Sequence, residues 1–168
     1  MYSPIALFTY ERLEILKKTI NYLKKNLLSP KTDLFIFSDG PKDNVNSKNI
    51  KEVRDYLEKV SGFNSITIIK RKSNIGLEQN LIQGLEYIFK NHDRVIVLED
   101  DIRTSKYFLK YLNDSLNKYE NEKKVCQISG YSFLENYSKR YGLDDFYFIK
   151  GADCLAWGTW KDRWDLFT

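Results

Sequence analysis

Val95-Ile96-Val97-Leu98-Glu99-Asp100-Asp101 is the stretch whose reading decides the fold. Four apolar residues in succession, without alternation, predict a strand buried on both faces, as in a parallel sheet flanked by helices. Open sheets of that kind bind ligands at the carboxyl ends of their strands. That end carries three adjacent carboxylates here, which repel one another unless a cation sits among them. Carboxylate oxygens suit Mg²⁺ or Mn²⁺, which in turn hold phosphates. The stretch therefore predicts a metal-diphosphate site. The alternative is an acidic turn that ends a strand and caps the next helix.

Working outward, apolar strand-like runs recur at Ile5–Phe8, Leu34–Phe37, Ile66–Ile69 and, more mixed, Val125–Ile128. Helical patterns lie between them. Leu13, Leu16, Ile20, Leu23 and Leu27 step by threes and fours, as do Ile50 to Val60, Leu77 to Ile88 and Phe108 to Tyr119. This alternation predicts right-handed crossovers and a mostly parallel sheet with helices on both faces. Ser29-Pro30 is expected to close the first helix, Ser61-Gly62 the second, and Thr104 or Ser105 to cap the fourth. After Gly130 the character changes to a Tyr-rich stretch through Gly142, an extended Phe146–Ile149, and a Trp-rich helical pattern from Trp157. The chain stops at Thr168 with neither Gly nor Pro as a stop signal, and truncation is the expectation.

Size and composition bound the answer. The 168 residues suffice for one domain with a real core, and 42% hydrophobic with 30% charged residues is a folded composition. Without a leader-like or membrane-spanning run, the sequence reads as cytoplasmic. The net charge of +4 is spread over lysines mixed with glutamates, without the basic stripe and interleaved aromatics of a nucleic-acid binder. Lys17, Lys18, Lys24 and Lys25 read as a solvated helix face, or as a loose contact for anionic lipid at the inner face of the membrane. Cys126 and Cys154 lack metal-type spacing and are expected to remain reduced.

In a parallel sheet, the residues after each strand gather along one edge. Those are Thr9-Tyr10-Glu11-Arg12, Ser38-Asp39-Gly40, Lys70-Arg71-Lys72-Ser73-Asn74 and Glu99-Asp100-Asp101. Ser38-Asp39-Gly40-Pro41 reads equally as turn chemistry and as a strand-end carboxylate able to accept the N3–H of uracil, a donor that cytosine lacks. Lys70, Arg71 and Lys72 are solvated, or one of them faces a diphosphate. Asn74-Ile75-Gly76 looks like a helix start whose first amides could bind an anion. His92, the single histidine, falls at the opposite end of the strands and reads as a loop residue.

Phe8-Thr9-Tyr10-Glu11-Arg12, Phe37-Ser38-Asp39-Gly40, Arg71-Lys72-Ser73-Asn74-Ile75-Gly76-Leu77 and Val97-Leu98-Glu99-Asp100-Asp101, in that order, resemble the nucleotide-sugar half of GT-A fold glycosyltransferases. The likeness is nearest to bacterial family 2-like sugar transferases and to the N-acetylglucosaminyltransferase I group, with its Glu-Asp-Asp version of the D-x-D motif. Ile128-Ser129-Gly130-Tyr131 and the segment from Leu155 to Trp164 also fit, so the resemblance covers essentially the whole chain.

The resemblance implies a GT-A, Rossmann-like α/β/α sandwich as one domain over residues 1–168, with a donor half to about residue 104 and the start of an acceptor half from about residue 125. It further implies that Asp39 binds the uracil of a UDP-sugar, that Thr9, Tyr10 and Arg12 line the nucleoside pocket, and that Arg71 approaches the base or diphosphate, beside Asn74 and Gly76. Glu99 and Asp100 would face the ribose and donor sugar. Asp101 would be the direct ligand of Mn²⁺ or Mg²⁺. The implied reaction is inverting transfer of a hexosyl or N-acetylhexosaminyl unit to a carbohydrate or lipid-linked acceptor. Its general base is expected beyond Thr168, with Asp153 the one substitute inside the chain. Apolar surface left by a missing segment would favour a homodimer.

Two other classes compete with the transferase. One is a non-catalytic nucleotide-sugar-binding module. The other is a receiver-like phosphoacceptor domain, disfavoured because Thr9-Tyr10 stands where such a domain carries an acidic pair after its first strand.

Overall fold

The computed structural model describes residues 2–42, 46–132, 142 and 146–167. Six strands form one sheet in the order β3-β2-β1-β4-β6-β5, with β1 at Ile5–Thr9, β2 at Asp33–Ser38, β3 at Ser65–Lys70 and β4 at Arg94–Glu99. These four are parallel, Ile5 pairing with both Leu34 and Ile96. The final strands are β5 at Ile128–Ser129 and β6 at Trp157–Trp160. β6 runs antiparallel to β4 and to β5. The expected mostly parallel α/β sandwich is thus present.

Helices α1 (Leu13–Lys24), α2 (Ser47–Leu57) and α4 (Phe108–Lys118) cover one face. Leu16, Ile20, Leu23, Val53, Leu57, Leu109, Leu112 and Leu116 pack there on Ile5, Leu7, Leu34, Ile36, Ile96 and Leu98. Helix α3 (Leu77–Ile88) and the short α5 (Lys161–Trp164) cover the other, over Ala6, Phe8, Phe37, Val95 and Val97. Successive strand residues point to opposite layers, which is why the unbroken apolar runs are needed. Each fully buried Leu, Ile or Phe contributes roughly 1.5–3 kcal/mol. Phe8 and Phe37 stack at 5.0 Å between centroids, and α3 lies so close above them that a Cβ on Gly84 would sit 2.7 Å from Phe8.

Several local expectations are corrected. The Trp-rich segment begins as a strand: Trp157–Trp160 pairs with β4, and helix follows only from Lys161. Trp160 is buried with its indole N–H on Leu116 O at 3.2 Å, and a Cβ on Gly158 would meet Leu116 at 3.1 Å. β5 is shorter and later than the run Val125–Ile128, because only Ile128 and Ser129 reach Gly158 and Trp157. Phe146–Ile149 lies outside the sheet, with Phe146 stacked on Tyr111 and Phe148 edge-on to Tyr119. Most of the Tyr-rich stretch lies outside the described residues.

Helix α1 ends at Lys24, before a 3-10 turn at Ser29–Lys31, leaving Leu27 exposed. Neither Thr104 nor Ser105 caps α4, whose N-cap is Tyr107. Thr104 instead accepts a hydrogen bond from the buried Asn26 at 3.0 Å, and Asn26 caps the helix from a distance by accepting from the Leu109 N–H. Among the described residues no helix is long and apolar enough to cross a membrane.

Candidate functional site

The connection from β1 through α1 to β2 leaves in one direction and β3 through α3 arrives at β4 from the other. The strand order therefore reverses between β1 and β4, and a crevice opens outside their carboxyl ends. Residue parity then assigns the side chains. Thr9 continues the register of Ile5 and Leu7, and Asp100 that of Ile96 and Leu98, so both stand on the α1 side and meet. Thr9 Oγ1 donates to Asp100 Oδ2 at 3.0 Å and the Tyr10 N–H to the same oxygen at 3.4 Å. Arg12 Nη2 donates to Asp100 Oδ1 and, at 3.1 Å, to Asp101 Oδ2. The Asp100 carbonyl accepts from Thr19 Oγ1 at 2.6 Å.

The three acids are consequently not equivalent. Asp100 is buried and fully engaged by the protein, whereas Asp101 has a side chain 44% exposed. Glu99 continues the parity of Val95 and Val97 toward the α3 side. Burial, then repulsion from Asp101 and Asp100, raises the Glu99 carboxyl above its ordinary range, Arg12 offsetting part of the effect. Burial opposes the charge on Arg12, but Asp100 and Asp101 outweigh it and raise the guanidinium. Among the described residues, no group of three or more His, Cys, Asp or Glu side chains is arranged to hold a metal. The three carboxylates stay close but divide in role: Asp100 and Asp101 share Arg12 Nη2, while Glu99 stands on the α3 side of β4 within reach of their charge.

Asp39 follows Ser38 with the parity of Phe35 and Phe37 and faces the start of α3. Its carboxylate accepts from the N–H groups of Gly40 (2.8 Å), Ile75 (3.0 Å) and Gly76 (3.1 Å) and from Asn74 Nδ2 (3.0 Å). A carboxylate offers about four lone-pair directions, so the protein occupies all of them. The 73–76 turn closes so tightly on β2 that a Cβ on Gly40 would lie 2.4 Å from the carbonyl carbon of Ser73. Gly76, at φ 80°, then starts α3 in a conformation that favours glycine.

Arg54 was not anticipated. It donates from Nη2 to the carbonyls of Arg71 (2.7 Å) and Asp39 (3.1 Å), and from Nε to Ser38 Oγ (3.2 Å). Burial lowers its pKa, with the Asp39 charge opposing. Its signal was present: it falls four residues after Ile50 and three before Leu57, on the buried side of α2. Asn80, also missed, is buried on α3, holds Phe37 O at 3.3 Å and accepts from Arg71 Nε at 3.0 Å. Lys70 pairs with Glu58, while Lys72 is exposed.

Thr9, Tyr10, Arg12, Glu99, Asp100 and Asp101 are therefore brought together, and Asp39, Arg71, Asn74 and Gly76 form an adjoining wall tied to them by the Asp39 N–H on Thr9 O at 3.0 Å. Asp153 stands apart, accepting from Leu155 N–H (3.0 Å) and Ser129 Oγ (2.9 Å). His92 packs edge-on to Phe35 at 5.7 Å, away from this edge. Cys126 and Cys154 are both free and exposed.

No family model matches the sequence, and no curated protein matches it. Solved structures resemble it in fold. TarS of S. aureus superposes with a TM-score of 0.53 at 16% identity, over 71% of this chain and 20% of TarS. A mannosyltransferase from Pyrobaculum calidifontis, in complex with GDP-Man and Mn²⁺, gives 0.53 at 13% identity over 77% of this chain and 36% of that one. A 4-diphosphocytidyl-2C-methyl-D-erythritol synthase from Anaerococcus prevotii gives 0.50 at 13% identity, over 98% and 75%. The chain spans less than two thirds of the first two. At such identities the likeness speaks for the fold, which is GT-A.

Proposed function

We propose that the chain is the donor-binding part of a family 2-like GT-A glycosyltransferase, related to the N-acetylglucosaminyltransferase I group. It transfers a hexosyl or N-acetylhexosaminyl unit from a UDP-sugar to a carbohydrate or lipid-linked acceptor, with inversion. The observation that carries the reading is the strand-order reversal between β1 and β4, with Asp100 locked by Thr9 and Arg12 so that Asp101 is presented to solvent.

The residues fit a hard divalent cation that retains water and takes one or two carboxylates plus substrate phosphate. Asp101 is exposed, and Glu99 is an acid whose charge its neighbours disfavour. Asp101, with Glu99 beside it, would hold Mn²⁺ or Mg²⁺, which when bound supplies Lewis-acid stabilisation to a departing diphosphate. Arg12 orients the two aspartates. Arg54 and Asp39 fix the Ser38–Gly40 and Ser73–Gly76 backbones that wall the nucleoside pocket, and reading uracil N3–H would require Asp39 to share or release one of its four bonds. Arg71 adds positive charge beside that wall.

Calorimetric titration with UDP, with and without Mn²⁺ and against CDP and GDP, tests the reading. Metal-dependent UDP binding, lost in Asp101→Ala and weaker for CDP, is the expected result. Absence of nucleotide binding by the folded chain would sink it. The engagement of Asp153 in local hydrogen bonds favours a second reading for these residues, nucleotide-sugar binding without turnover, which UDP binding without hydrolysis or transfer would support.

A further inference from the structure

The two segments 15–32 and 102–113 contain five lysines (Lys17, Lys18, Lys24, Lys25, Lys31) and three further cations (Arg103, Lys106, Lys110), and no carboxylate. The fold lays them side by side: Leu27 N–H donates to Lys106 O at 3.2 Å, and the buried Asn26 side chain joins Thr104 to Leu109 beneath. The cations divide between two flanks. Lys17 pairs with Glu14, and Lys24 lies over Gly62 at the end of α2. Lys18 lines the same depression as Lys17, Lys24 and Glu14, whereas Lys25 faces the other way, toward Tyr22.

There the cations sit among exposed rings and an exposed leucine. Lys25 Nζ lies 5.3 Å and Arg103 Cζ 6.0 Å from the Tyr22 ring, and Lys106 Nζ 4.8 Å from the Tyr107 ring. Leu27 is 58% and Tyr107 52% exposed. Among the described residues, Lys25, Arg103 and Lys106 have no carboxylate partner.

We propose that this surface docks on an anionic lipid bilayer. Three uncompensated cations, Lys25, Arg103 and Lys106, match the negative surface of such a bilayer, each contributing on the order of 1 kcal/mol near it. Leu27 supplies an apolar anchor, and Tyr22 and Tyr107 are amphipathic rings of the kind that lie at headgroup level. A nucleic acid would match the charge but would leave Leu27 without a function. The docking stands independently of the donor site, since neither Asp101 nor Asp39 takes part. It is distinct from the four-lysine helix face anticipated from the sequence, because Lys17, Lys18 and Lys24 line another flank and the 102–107 segment supplies the remaining charge.

Co-sedimentation of the chain with phosphatidylcholine vesicles, with and without phosphatidylglycerol, tests the proposal. Binding is expected only to the anionic vesicles. The partition coefficient should fall by more than about tenfold in Lys25→Glu/Lys106→Glu, and severalfold in Leu27→Ser at unchanged charge. Lys59→Glu/Lys124→Glu, an equal charge reversal on exposed residues elsewhere, should retain most of the binding. All three variants alter exposed side chains, and unchanged circular dichroism would verify the fold. Equal loss in both double variants, or no preference for anionic lipid, overturns the docking surface. Undiminished binding by Leu27→Ser, with heparin competing as well as vesicles, overturns the lipid assignment in favour of a general polyanion site.

Discussion

Thr9 Oγ1 donates to Asp100 Oδ2 across 3.0 Å, joining two parallel neighbouring strands whose ends are 91 residues apart in the chain. The bond fixes which of the acids is structural. Asp100→Asn retains the volume but loses the ion pair to Arg12. It should cost about 2 kcal/mol and lower Tm by about 4–8 °C in differential scanning calorimetry. An unchanged Tm would show that the acidic turn is held by its backbone alone.

Gly40 has no room for a side chain against Ser73. Gly40→Ala must push the 73–76 turn away from β2, with an expected loss of about 1–3 kcal/mol. Because that turn walls the proposed nucleoside pocket, nucleotide affinity should fall with it. Gly142→Ala offers the contrast of a position with no neighbour within 4 Å but a φ of 63°, where alanine costs backbone strain without touching the nucleoside wall. It should leave affinity unchanged, as paired denaturation and binding isotherms would show.

Asp39 gathers four donors, two of them backbone N–H groups at the start of α3. Asp39→Ala leaves those amides unpaired and should destabilise the chain by about 3 kcal/mol, with Asp39→Asn nearer half of that. Urea midpoints at constant m would measure it. Wild-type stability in the alanine variant would contradict the clamp.

Asp33 provides a pH test away from the site. Its carboxyl is held below the ordinary value, foremost by the hydrogen bond from Ser65 at 2.6 Å and also by that from Asn64, with burial opposing. A depressed folded-state pKa contributes stability that is complete above the ordinary Asp value of about 3.9 and is lost as the pH falls through the folded value. Between about pH 5 and pH 3, wild type should therefore lose more stability than Asp33→Asn. Parallel losses in acid titrations of the two proteins would refute this.

The four parallel strands and their helices were legible because apolar runs and three-to-four periodicity reflect burial directly. The site edge followed from strand direction alone, which placed Thr9, Asp39, Arg71 and Asp101 together before any contact was known. What escaped depends on neighbours distant in sequence. Trp157 and Trp160 are spaced three apart and are followed by Lys-Asp-Arg, a helical signature, yet pairing with β4 draws the segment into the sheet. Asn26, Asn80 and Asn113 look like surface residues by type but are buried because each satisfies a backbone group. The division of labour within Glu99-Asp100-Asp101 needed the positions of Thr9 and Arg12, which adjacency in the sequence could not supply.

The strand order also sets a schedule for the growing chain. Strands β1 to β3 can pair as soon as they are made, but β4 takes the remaining side of β1. Until residues 94–99 arrive, the wholly buried strand Ile5–Thr9, apolar through Phe8, forms a bare edge of the kind to which foreign strands add. Late insertion of a central strand makes folding slow relative to a locally connected domain. A chain ending before Arg94 should self-associate, as light scattering would detect, while the same segment continued through Glu99 should scatter less.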